Sequence, residues 1–255
     1  MRAALTLGRF VLLEARRTGL PWLMLGAVGI GLGLAGFLSQ LALTESNALQ
    51  AGILAAFFRL CAVSVTSAFV ITSMVRESGD KGTELLLSLP LSRTAYYLGK
   101  LGGFAACGAT FAVTFALVML VWSPPKAVAL WLLSLTLEVA LMAAISLFFV
   151  VTLAQIVPAL AASAGFYLLG RVVAEIQSIS ASPLASQNDL LHRVASRCID
   201  AVALLLPPLD SATQTVWLVY GVPTASEVLV VAGHLLLYAA LVVTAGLFDF
   251  HRRNL

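Results

Sequence analysis

Charge is scarce in this chain. Of 255 residues, 15 are Lys or Arg and 12 are Asp or Glu, so only 11% are charged. An ordinary soluble domain carries roughly 25%, and a chain with less than half that share cannot clothe a water-exposed surface. Cysteine is nearly absent. Cys61, Cys107 and Cys198 show no metal-ligand spacing and are too few for a disulfide framework. There is no basic stripe with interleaved aromatics, so the net charge of +3 does not point to nucleic acid. No G-x-x-x-x-G-K-S/T phosphate-binding loop occurs. Gly99-Lys100 lacks the upstream glycine frame and runs into an apolar stretch. No Ser/His/Asp, Cys/His or paired-carboxylate arrangement stands out. Low-complexity tracts and short-period repeats are missing too.

What is abundant is apolar sequence. Hydrophobic residues make up 60% of the chain, against ~45–50% in soluble domains. About 20 apolar residues span a bilayer as a helix. Six such runs are present, at about 21–43, 51–75, 101–122, 127–153, 158–176 and 225–248. The breaks between them are a polar turn at 44–50, a charged stretch at 76–100, the tight turn Ser123-Pro124-Pro125-Lys126, the Gln155–Pro158 break, and a long segment at 177–224. The expected fold is all-α: one polytopic membrane domain over 1–255 with six transmembrane helices.

Residues 1–20 mix Leu5, Phe10, Leu12 and Leu13 with Arg2, Arg9, Glu14, Arg16 and Arg17. A secretory signal has its charge first and an unbroken apolar core after it. This pattern instead predicts an amphipathic helix lying on the membrane surface. In the 177–224 segment, His192, Arg193, Arg197 and Asp200 alternate with apolar residues, predicting a second interfacial helix. Asp210 and Ser211 offer caps for a further helix through Trp217. Orientation follows from Lys and Arg. With the N-terminus inside, Arg2, Arg9, Arg16, Arg17, Arg76, Lys81, Arg93, Lys100, Arg252 and Arg253 lie in the cytoplasm. Lys126, Arg193 and Arg197 lie outside. Both termini and the 76–100 stretch are therefore expected to be cytoplasmic, and 177–224 extracytoplasmic.

Ionisable side chains within spans are costly and mark candidate sites. Here they are Arg59, Glu138, Arg171, Glu175 and His234, all in the outer halves of their spans. One reading is structural: Arg171 and Glu175, at i,i+4 spacing, pair within one helix, Arg59 snorkels, and Glu138 bonds a neighbour. The other is a polar cavity opening outward. Gly26, Gly29, Gly33 and Gly36 fall near one face of the first span. Small residues let helix backbones approach closely, either inside the monomer or at a seam between two copies. Gly99 and Gly103 repeat that spacing and predict internal packing.

The 76–100 stretch, RESGDKGTELLLSLPLSRTAYYLGK, holds seven of the charged residues. Thr83 can cap a helix and Glu84 suits its positive end. Leu85, Leu86, Leu87 and Leu89 make it strongly apolar, and Pro90 stops it. Ser92 caps a second helix bearing Tyr96 and Tyr97, placed for the membrane interface. A leucine-rich helix outside a span needs cover from the membrane or from a partner.

The run Asp80-Lys81-Gly82-Thr83-Glu84, then leucines, then Pro90-Leu91-Ser92-Arg93, closing with Gly99-Lys100, resembles the signature loop of ATP-binding-cassette permeases of the type-2 exporter family. Phe250-His251-Arg252-Arg253-Asn254-Leu255 is similar to that family's aromatic-basic ending. The pattern departs at Glu77, Ser78 and Asp80, where the family often has two acids spaced by one. The resemblance implies a bacterial inner-membrane permease subunit and not an enzyme. Its coupling residues would be Glu77, Asp80, Gly82, Thr83, Glu84, Leu85, Leu86, Pro90 and Arg93. The implied partners are a cytoplasmic ATPase dimer, which binds ATP and Mg in place of any cofactor in this chain, and a second permease copy, identical or related. Gly26, Gly29, Gly33 and Gly36 would form the dimer seam. Membrane lipid and, in some relatives, a periplasmic accessory protein complete the set. The alternative function is an energy-independent scaffold or secondary transporter.

Overall fold

The computed structural model describes residues 2–41, 46–80, 92–180 and 206–252, together with 194, 196–197, 199–201 and 203. Every regular element among them is a helix: α1 (Arg2–Arg17), α2 (Leu20–Leu41), α3 (Ser46–Gly79), α4 (Arg93–Met119), α5 (Pro125–Leu153), α6 (Ile156–Ser180), α7 (Val216–Val219) and α8 (Ala225–Arg252). Six of these, α2 to α6 and α8, are long and apolar enough to cross a membrane. The all-α six-span architecture read from the sequence is the one observed.

The punctuation is chemical. Gly19 sits at φ 80°, in the left-handed region, and lets the chain turn from α1 into α2. Thr18 Oγ1 donates to the Glu14 carbonyl at 3.0 Å, closing the end of α1. Pro125 occupies the first turn of α5, where its missing N–H is not needed. Ala154 (φ 55°) caps α5 in the left-handed conformation, and α6 begins two residues later.

The spans stack around α5, which packs on α3, α4, α6, α7 and α8. It is apolar on all sides, as a helix enclosed by others must be. Trp131, Leu135, Val139, Leu141 and Met142 are buried along it. Phe58 of α3 stacks on Phe115 of α4, ring centroids 4.6 Å apart. At the end of the bundle far from the 80–92 loop, Trp122 Nε1 donates to Gln50 Oε1 at 2.6 Å, tying α4 to α3. The helices α2 and α8 are peripheral and mostly exposed, with Trp22, Ile30 and Phe37 on one and Leu229, Leu236 and Phe248 on the other. Such faces belong against lipid or another protein.

Three local expectations are corrected. Tyr96 and Tyr97 do not sit on a separate helix before the third span. The helix is continuous from Arg93, because no proline interrupts it and Ser92 Oγ accepts the Ala95 N–H at 3.2 Å as its cap. Nor do the two tyrosines meet the membrane interface, since both are buried in protein. Asp210 and Ser211 start no helix through Trp217. Thr213 has φ 50° and breaks the path, and Ser211 Oγ donates to the Pro208 carbonyl instead. The helix there is the single turn α7, capped at Thr215 without a side-chain bond.

The amphipathic helix α1 does more than lie on a surface. Leu7, Val11 and Ala15, spaced by four, are buried, and α1 packs along the start of α4. Gly8 there meets Gly99 and Gly103, the internal packing expected of that pair. A Cβ on Gly103 would come 2.7 Å from the Val11 Cβ and 2.9 Å from the Gly8 Cα. Gly103→Val is therefore expected to lower stability by about 1–3 kcal/mol through overpacking. Gly102, which faces open space, is its control: Gly102→Ala should be neutral or gain up to ~1 kcal/mol of helix propensity. Thermal unfolding of the two variants in detergent reads the difference.

Candidate functional site

The loop-bearing end of the bundle carries a hub built from the flanks of 80–92 and the end of α8. Glu77, in the last turn of α3, pairs with Lys100 of α4. Its other oxygen accepts from Tyr96 Oη at 2.8 Å. Lys100 is 5% exposed, so its charge depends on that partner. The Tyr96 ring stacks on Phe250 of α8 at 5.7 Å between centroids, and Tyr97 approaches Phe250 at 6.1 Å. Gly246 lies against the Tyr97 hydroxyl end and leaves it room. Arg93 Nη1 donates to the His251 carbonyl at 3.0 Å, satisfying an acceptor that the end of α8 leaves open. Thr152 Oγ1 donates to Asp249 Oδ2 at 3.0 Å, so α5 joins the hub.

Of the expected coupling residues, Glu77 and Arg93 thus face inward. Glu77 ties the end of α3 to α4, and Arg93 ties the head of α4 to the end of α8. Asp80 is exposed at the end of α3. Gly82, Thr83, Glu84, Leu85, Leu86 and Pro90 lie outside the described residues. Lys100, Tyr96 and Phe250 were not singled out as site residues. The available signal was a lysine at the head of a span, followed 150 residues on by an aromatic at the end of another.

At the opposite end, Arg59, Glu138 and Arg171 come together and Glu175 and His234 do not join them. Arg171 pairs with Glu138 of α5 (3.6 Å) and not within its own helix. It also donates to the carbonyls of Leu209 and, at 2.9 Å, Ala212. Arg59 Nη1 donates to the Thr213 carbonyl at 3.0 Å. Thr213 N in turn donates to Ser134 Oγ at 2.8 Å. The two arginines thus pin segment 209–213 onto α3, α5 and α6. Glu138 has no exposure, so in this conformation the five residues do not line one open cavity. Glu175 and His234 are exposed.

The glycine stripe of α2 also has a clear position. A Cβ on Gly26, Gly29, Gly33 or Gly36 would meet nothing, whereas Gly31 and Ala35 pack inward, Gly31 against Phe58. The stripe is an outer face. Among the described residues, no three His, Cys, Asp or Glu side chains gather as metal ligands.

A family model described as ABC-2 family transporter protein matches residues 24–248. The chain belongs to the ABC-2 transporter family. Six apolar helices and this match make it a membrane protein and the permease component of an ABC transporter. No curated protein matches it.

Proposed function

We propose that this ABC-2 permease works as an exporter subunit driven by a separate cytoplasmic ATPase, which binds the ATP and Mg and docks on the 80–92 loop. The observation that supports this most is the double anchoring of the loop. Its entry is fixed through Glu77 and its exit through Arg93 and Tyr96, and both anchors converge on α4 and the end of α8. A push on the loop is then delivered to α3, α4 and α8 together. A loop tethered at one end would absorb it locally, because packed helices shift as units and flexible connections do not. The basic-residue asymmetry supports a cytoplasmic loop and cytoplasmic ends for α1 and α8 in the inner membrane. The outward glycine face of α2 supports a seam with a second permease copy.

Copurification tests both contacts. The chain is expressed with its neighbouring gene products in two differently tagged copies. The expected result is retention of an ATPase chain and of the second copy. Gly82→Leu or Leu86→Asp should release the ATPase while leaving the copies paired. Gly29→Leu should do the reverse. An ATPase still bound after both loop changes, or none bound at the outset together with transport that proceeds without ATP, sinks the reading in favour of a secondary transporter.

A further inference from the structure

A cleft of about 280 Å³ lies between the α1–α2 elbow and one face of α3, open along one side. Its chemistry is sorted along its length. Val65, Phe69, Thr72 and Arg76 follow one another on a single face of α3, over about 16 Å at 1.5 Å per residue. Arg76, three residues before the helix ends, is at the loop end of the cleft. Val65 and Phe69, with Leu23 of α2, form its apolar end, deeper along the spans. Glu14 of α1 closes the polar end. Its Oε2 accepts from the buried Ser73 Oγ at 2.9 Å, which fixes the carboxylate in place. Among the described residues, neither the other Glu14 oxygen nor the Arg76 guanidinium has a hydrogen-bond partner or ion pair.

We infer that this cleft holds a phospholipid of the ethanolamine class, drawn from the membrane leaflet on the loop side. The polar end offers one fixed acid and one base. A phosphate suits Arg76, whose fork matches its oxygens. A primary ammonium suits Glu14, to which it donates. An acyl chain then lies along Val65, Phe69 and Leu23, the direction a lipid takes in the leaflet. The same pairing selects against the other common headgroups. A quaternary ammonium has no N–H to give Glu14, and an anionic glycerol headgroup brings no cation to it. The inference concerns a resident lipid at the elbow and goes beyond the exporter reading, on which it does not depend.

The test is native mass spectrometry of the full chain in detergent, titrated with dioleoyl phosphatidylethanolamine, dioleoyl phosphatidylcholine or dioleoyl phosphatidylglycerol. The ethanolamine lipid should bind about tenfold more tightly than either other, the worth of one charge-assisted hydrogen bond. E14Q should bring the three lipids to parity, whereas R76Q, which loses the phosphate that all three share, should weaken all three about tenfold and leave their order unchanged. R9Q, which changes an exposed arginine outside the cleft, should leave the preference intact. So should S73A, which loosens the carboxylate without removing it. R76Q changes an exposed side chain with no partner among the described residues and is expected to fold, so the test survives a failure of E14Q to do so. Equal binding of all three lipids overturns the inference. So does a preference that E14Q leaves unchanged, an R76Q variant that binds all three as tightly as the parent, or equally tight binding of water-soluble glycerophosphoethanolamine, which would show that the apolar end plays no part.

Discussion

Replacing Lys100 with methionine is expected to destabilise the protein by about 3–5 kcal/mol, the usual effect of stripping one partner from a buried ion pair. The reason is the carboxylate left behind. Glu77 keeps the Tyr96 hydroxyl but loses the cation on its other oxygen, and its side chain is only 15% exposed. Water reaches it poorly. Glu77→Gln in the same background should recover most of the loss, because the amide needs no counter-charge and still accepts from Tyr96. The measurement is a double-mutant cycle on thermal unfolding. A K100M effect that adds simply to that of E77Q means the pair is not coupled. ATP hydrolysis by the assembled transporter gives the functional half. The recovered double variant should unfold near the parent temperature yet respond less to transport, since the neutral pair grips the loop base more weakly.

The second large effect is expected at Arg171. Arg171→Met removes the nearest cation from Glu138 and two donors from the carbonyls of Leu209 and Ala212. A carboxylate with no exposure that loses its nearest counter-charge again costs about 3–5 kcal/mol, with Arg59 the cation that remains. The Ala212 carbonyl, left without that donor, adds to it, while the Leu209 carbonyl keeps the Ala212 N–H at 3.2 Å. Glu138→Gln should be far milder, about 1 kcal/mol, because Arg171 keeps its carbonyl acceptors. The two variants also separate a tie from a transport site. A pure tie predicts that E138Q, once folded, sustains normal transport-stimulated ATP hydrolysis. A selective loss of that stimulation in E138Q and in Arg59→Met, with stability kept, would assign the cluster to the cargo path.

The six spans were legible because each is a run of apolar residues long enough to cross a bilayer, and that property is local. So were the Pro124-Pro125 turn and the cap at Ser92. What escaped was the pairing of distant charges. The i,i+4 spacing of Arg171 and Glu175 suggested a bond within one helix, but Arg171 turns across to Glu138, where it gains two carbonyls as well. The resemblance assigned Glu77 to coupling and gave it no partner within the chain. Its partner, Lys100, is on the far side of the loop, and only the folded bundle brings the two together. The helix α1 shows the same limit. Its alternating charge pointed to a membrane surface, and the spacing of Gly99 and Gly103 predicted packing there, but nothing in the pattern said that Gly8 of α1 is what packs on them.

The order in which the chain is made gives the hub one more consequence. Arg93 waits for a carbonyl 158 residues further on, and Tyr96 waits for the ring of Phe250. Until α8 has left the ribosome and entered the membrane, the stretch between Gly79 and Arg93 hangs from an incomplete base. A half-built permease therefore lacks the tie between the head of α4 and α8, and that tie closes only once the last span is in place.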